Sequence, residues 1–193
     1  MKIGIQTILG FLLIFSCNKK NERINSIEVN PVLIKIGYYP TFHQPAEAIL
    51  NLNEKYLIFY SPSSYNPAPP PPPRKDGKIS QKEKDQYNEY LRERPELVPF
   101  KVNLYDIEIA NIRKFVNTFK KEDYNDKNLK PNFDGMYTNI VIVNSDSNLI
   151  QINPMNDPNA MQSELYSRIL QLLIDKNTNK NDSIILQKIQ GYH

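Results

Sequence analysis

Ala46-Glu47-Ala48-Ile49-Leu50-Asn51-Leu52-Asn53-Glu54-Lys55-Tyr56-Leu57-Ile58-Phe59-Tyr60 is the stretch that decides the fold class. Ala46, Ala48, Leu50 and Leu52 alternate with Glu47, Ile49 and Asn51, a period of two that sends one set to each face of a strand. Asn53 and Glu54 interrupt the pattern, and residues 55–60 resume it with aromatic and aliphatic side chains. Two strands joined by a tight turn predict an antiparallel hairpin.

Upstream, Ile27, Val29 and residues 32–39 have strand character, with Pro31 breaking or bulging the strand. Pro40, His43 and Pro45 make the turn into Ala46. Downstream, Ser80-Gln81-Lys82-Glu83 is a capping box that opens a helix through about Arg94, stopped by Pro95. Its few apolar residues, Tyr87, Tyr90 and Leu91, place it on the surface. Residues 98–102 form a short candidate strand that Pro99 confines to an edge. Asn103 then caps a second helix, where Tyr105, Ile109, Ile112, Val116 and Phe119 draw one apolar stripe. Acidic Asp106 and Glu108 at its start, and Lys120 and Lys121 at its end, suit the helix dipole.

Residues 122–132 are a polar loop, and Asp134-Gly135 is a turn signal. Residues 136–144 and 149–153 flank Ser145-Asp146-Ser147-Asn148 and predict a second hairpin. Its run Ile140-Val141-Ile142-Val143 suits a central strand covered on both faces. Asp157-Pro158 opens a helix with the stripe Met161, Leu165, Ile169, Leu172 and Leu173, ending near Lys176. Residues 177–182 are a loop, and Ser183 caps a short final helix over 184–190. This order of elements lacks the strand-helix alternation of a parallel sheet. It predicts an α+β fold: one antiparallel sheet of five to seven strands, two amphipathic helices on one face and a Pro-rich loop. Residues 26–193 form a single domain without internal repeats.

The Pro-rich loop covers residues 62–78 and holds seven of the fifteen prolines. The unbroken run 69–73 builds a stiff polyproline helix of roughly 15 Å without hydrogen bonds of its own. It is either a docking ligand for an aromatic groove on a protein partner or a rigid excursion packed on Tyr56, Tyr60, Tyr65 or Tyr87.

The first 17 residues carry a different signal. Met1 and Lys2 precede thirteen uncharged, mostly apolar residues, followed by Ser16-Cys17-Asn18-Lys19-Lys20. That is the pattern of a secretory signal peptide over residues 1–16, and it falls short of the ~20 apolar residues a membrane span needs. Ile14-Phe15-Ser16-Cys17 resembles the lipobox of bacterial lipoproteins. The resemblance implies a lipid on the Cys17 sulfur, cleavage that leaves Cys17 first, and residence on the envelope facing the periplasm or the outside. Cys17 is the only cysteine, so no internal disulfide competes for it. Polar residues 17–25 then serve as a tether. The lipobox, the small single domain and the Asn- and Lys-rich composition together resemble the lipoproteins of Bacteroidetes-type bacteria; beyond residue 17 no family is assigned.

Removal of residues 1–16 leaves 177 residues and lowers the formal net charge from +3 to +2, because Lys2 departs with the signal. That balance makes no electrostatic case for nucleic acid. Six scattered glycines build neither type of phosphate loop, so no nucleotide cofactor is expected. The histidines are His43 and the terminal His193. A Ser-His-acid arrangement would have to use His43, whose neighbours match no such motif. Asn144, Asp146 and Asn148 copy the first calcium-loop spacings, but Leu149 and Met155 stand where the glycine and the glutamate belong. Asp123, Asp126 and Asp134 match no metal pattern, so no metal site is expected. Tyr38, Tyr39, Tyr56, Tyr60 and Tyr65 gather near the first hairpin, either as recognition residues for peptide or sugar or as ordinary strand packing.

The sequence thus favours a non-enzymatic, lipid-anchored binding or accessory protein, an immunity protein being one version. The alternative is a small envelope hydrolase using carboxylates or His43, and a structural role in an envelope complex is a third reading.

Overall fold

The computed structural model describes residues 29–41, 43–63, 77–125, 135–155 and 157–192. The first hairpin sits inside a six-stranded antiparallel sheet made of β1 (Pro31–Pro40), β2 (Ala46–Asn51), β3 (Tyr56–Tyr60), β4 (Phe100–Asn103), β5 (Met136–Asn144) and β6 (Leu149–Met155). Their order is β4-β3-β2-β1-β5-β6. β1 pairs with β2 on one side and β5 on the other, and its register shifts between Pro31 and Leu33, the bulge that the proline demands. β4 is an edge strand, with Pro99 just outside it.

The turn between β2 and β3 is longer than the tight turn expected from sequence. Asn51 Oδ1 accepts from the backbone N–H of Asn53 (3.1 Å) and Glu54 (2.8 Å), and Lys55 takes a left-handed φ of 56°.

Four helices are present among the described residues: α1 (Gln81–Arg92), α2 (Asp106–Val116), α3 (Ala160–Lys176) and α4 (Lys180–Gln190). α1 opens on the Ser80–Glu83 capping box and buries nothing, as its composition requires. The other three bury apolar stripes: Ile109, Ile112 and Val116 from α2, Leu165, Ile169 and Leu173 from α3, and Ile185, Leu186 and Ile189 from α4. Three core-facing helices therefore replace the expected two. They join one core with Ile34, Ile36, Ala48, Leu50, Phe59 and Ile140 of the sheet. Each fully buried aliphatic side chain there contributes roughly 1.5–3 kcal/mol. Tyr38 is fully buried in this layer, and its hydroxyl donates to the Tyr166 carbonyl at 3.2 Å.

Several boundaries differ from the sequence reading. Asn103 ends β4 opposite Tyr56 instead of capping α2, so Tyr105 lies before the helix and is 71% exposed. Asn159, not Asp157, caps α3, through a reciprocal bond pair with Gln162. α4 begins at Lys180 because the Asn179 side chain accepts from the N–H groups of Asn181 and Asp182. β5 is not covered on both faces: Ile140 and Ile142 are buried, while Val141 and Val143 on the opposite face stay half exposed. Asp182, fully buried in the first turn of α4, accepts from Val98 N–H at 2.9 Å; burial pushes its carboxyl up despite that bond.

The sheet has two distinct ends. At the near end the chain arrives at Asn30, whose carbonyl accepts from Ser145 N–H at the β5–β6 turn. α2 lies along this end: Arg113 donates to the carbonyls of Pro31 and Leu52 and to Asn53 Oδ1, and Asn117 reaches Asn30. At the far end lie the turn from β1 to β2 and the last residue of β3. There Ser61 Oγ donates to the Pro45 carbonyl at 2.8 Å, just before residues 64–76, and the His43 ring meets Tyr192.

Candidate functional site

Alternation along the strands sends every second residue to the face opposite the helices. On that open face, Tyr60, Glu47, Gly37 and Asn139 stand side by side across β3, β2, β1 and β5. Lys35 and Tyr39 flank Gly37 along β1. Their side chains converge on one carboxylate: Tyr39 OH donates to Glu47 Oε1, Tyr60 OH donates to Oε2, and Lys35 Nζ donates to Oε1 at 3.1 Å. Although it lies on the face opposite the core helices, Glu47 is only 4% exposed.

Gly37 makes this arrangement possible. A Cβ at that position would overlap both the Tyr39 ring and Asn139 Oδ1, so the ring lies over bare backbone, where any other residue would hold it off. Tyr39 then meets Tyr137 with ring centroids 5.5 Å apart, and Tyr137 OH reaches Asn153 Oδ1 at 3.3 Å. The next row toward the near end is Lys101, Ile58, Ile49, Lys35, Val141 and Gln151. Lys101 stacks its ammonium over the Tyr56 ring at 4.0 Å.

The electrostatics follow from the donors. Burial pulls Glu47 upward, but the bonds from Tyr39, Tyr60 and Lys35 and the Lys35 charge outweigh it, leaving the carboxyl below its ordinary 4.5. Burial and the Glu47 bond raise Tyr39, and the same two causes push Tyr60 up to about 12. At neutral pH, Glu47 is therefore charged and accepts from three donors, two on Oε1 and one on Oε2, and both hydroxyls keep their protons. Such a cluster is poorly suited to proton transfer and well suited to holding two rings in fixed positions.

A raised tyrosine pKa sets an alkaline limit. Below the unfolded value of 10 its contribution is complete, and stability is lost as pH rises toward the folded value of about 12. In Tyr60→Phe, part of the stability loss between pH 10 and 12 is expected to vanish, as measured by urea unfolding at several pH values.

The other sequence candidates lie elsewhere. His43 sits at the far end, half-buried against Tyr192; burial and the Arg94 and Lys188 charges lower its pKa, against the pull of Glu93. It is not part of the Glu47 cluster. Asp146 Oδ1 accepts from Asn148 N–H at 3.0 Å and Ser147 takes a φ of 66°, which makes that segment a hairpin tip. Asp123 accepts from Lys120 N–H. No group of three metal-ligating side chains occurs among the described residues. Cys17, Tyr65, Asp126, Asp134, His193 and residues 64–76 lie outside the described residues.

Of the expected tyrosines, Tyr38 belongs to the core, while Tyr39 and Tyr60 form the patch. Sequence reasoning missed Glu47 and Gly37. A glycine inside a strand pattern, two residues before a tyrosine, was the available signal. Set against family models, curated proteins and solved structures, the chain matches none of them.

Proposed function

We propose that this is a lipid-anchored binding protein of a bacterial envelope, held through Cys17 and presenting the open sheet face around Glu47 to a partner. The observation that carries the reading is an enclosed carboxylate, Glu47, on the sheet face opposite the core helices, where it fixes the Tyr39 and Tyr60 rings. Tyrosine supplies large contact area at low conformational cost, and fixing it in advance lowers the cost further.

The layout of the sheet supports this reading. The segment from Cys17 arrives at the near end, whereas Tyr39, Tyr60 and Tyr137 lie toward the far end, where residues 64–76 also depart. A domain tethered this way offers its tyrosines on the side away from its attachment. No helix among the described residues is long and apolar enough to cross a membrane.

The test is metabolic labelling with a fatty acid. Wild type is expected to take up label and stay with membranes, and Cys17→Ser is expected to take up none and be released. Equal labelling of the two overturns the anchor.

A further inference from the structure

We infer that the near end of the sheet is a bilayer-seating surface, so that the domain rests on the membrane by a rim of its own apolar side chains as well as by its lipid. The inference deepens the lipid-anchor reading of Cys17 and rests on it. Among the described residues, six large apolar side chains are exposed: Val29, Val98, Tyr105, Ile107, Tyr137 and Leu149. Four of them share the near end. Val29 precedes Asn30 at the β5–β6 turn, Leu149 opens β6, and Tyr105 and Ile107 stand where β4 passes into α2. Three of these are the most exposed of all, Tyr105 at 71%, Ile107 at 67% and Leu149 at 59%.

Width argues for a surface instead of a small-ligand pocket. The rim runs from the β4 edge to the β6 edge, and six strands at ~4.8 Å spacing place its ends about 24 Å apart. A bilayer interface accepts scattered apolar and tyrosine side chains across such a span.

Two ion pairs stand at this end, and Glu54 and Asp146 add acidic groups in its two turns. Lys55 pairs with Asp106 at 2.7 Å and Lys176 with Glu108 at 2.9 Å. Arg113 differs, because its described bonds all go to neutral oxygens. It lines a cleft of about 490 Å³ with Leu52, Asn53, Lys55, Asp106 and Ala110, and its uncompensated charge suits a headgroup phosphate there. Phosphate is common to zwitterionic and anionic phospholipids, so seating does not require net lipid charge.

Chain length keeps the near end within reach of the membrane. Eleven residues, 18–28, lie between Cys17 and Val29. Their full extension is ~40 Å and the average span of a flexible chain that long is ~20 Å, so the near end is held close to the lipid.

The test exploits two features of the sequence, a single cysteine and no tryptophan. The mature chain 17–193 is coupled through Cys17 to a maleimide lipid in phosphatidylcholine vesicles, which anchors it whether or not cells acylate it. Single tryptophans are placed by Ile107→Trp, Leu149→Trp and, at the far end, Tyr137→Trp. With bromine on the upper acyl chain, within the ~10 Å that interfacial side chains reach, Ile107→Trp and Leu149→Trp emission is expected to shift to the blue and fall about twofold or more. Tyr137→Trp is expected to be unaffected, and anionic vesicles should give the same pattern. Absence of quenching at 107 and 149, or equal quenching at 137, overturns the seating. A blue shift at 107 that needs protein concentration and no lipid also overturns it, by assigning the rim to a second copy of the chain. Cells that leave Cys17 unacylated would defeat the anchor reading separately, since the vesicle experiment does not depend on it.

Discussion

Glu47→Ala is expected to lower stability by about 2–3 kcal/mol, the cost of removing a charged acceptor with three donors where charge-assisted bonds contribute ~1.5–3 kcal/mol each. The sum stays near one full bond because Tyr39, Tyr60 and Lys35 are only half-buried and can turn to water. For a domain of this size that corresponds to a melting temperature lower by about 5–10 °C. Calorimetry checks it, and a change under about 1 kcal/mol would place the cluster among ordinary surface contacts. Glu47→Gln keeps the shape but loses the charge, so it should fall between wild type and alanine.

Acid dependence gives a second readout of the same residue. A carboxyl held below its unfolded value of 4.5 contributes stability that is present above 4.5 and is lost as pH falls through the depressed folded value. Glu47→Gln has no such proton to take up. Its stability should therefore decline less than that of wild type below pH 4.5.

Gly37→Ala is the other large effect. The new methyl overlaps the Tyr39 ring and Asn139 Oδ1, and the ring must leave its place over the backbone. Overpacking of this kind costs about 1–3 kcal/mol, and here the displaced ring also gives up its bond to Glu47. The signature is specific: Tyr39 ring resonances in NMR spectra should move while those of Tyr38, on the helix-covered face, stay put. An unchanged Tyr39 environment with native stability would show that Gly37 has no such role.

What the sequence made legible follows from period. The alternation from Ala46 to Leu52 and the stripe Ile109, Ile112 and Val116 each point at one layer, and each is buried as its spacing requires. Local chemistry was less decisive where two residues could do the same job. Asp157 and Asn159 are both competent caps, and only Asn159 has Gln162 three residues on to answer it. The run Ile140-Val141-Ile142-Val143 looks the same whether one face or both are covered, because apolar composition does not report a second layer.

The Glu47 cluster was illegible for a different reason. Its members come from three strands, and register, which no short stretch of sequence contains, sets Glu47 between Gly37 and Tyr60. The proposed anchor is the opposite case: its motif is read entirely from consecutive residues, and they lie outside the described structure.

One carboxylate, Glu47, fixes Tyr39 and Tyr60 on the sheet face opposite the core helices. Carbon NMR of the Glu47 carboxyl through an acid titration, followed together with the ring signals of Tyr39 and Tyr60, tests it most directly. The midpoint is expected below 4.5, with both tyrosines moving at that same midpoint. A carboxyl that titrates at 4.5 or above, or one whose protonation leaves both rings undisturbed, would contradict it.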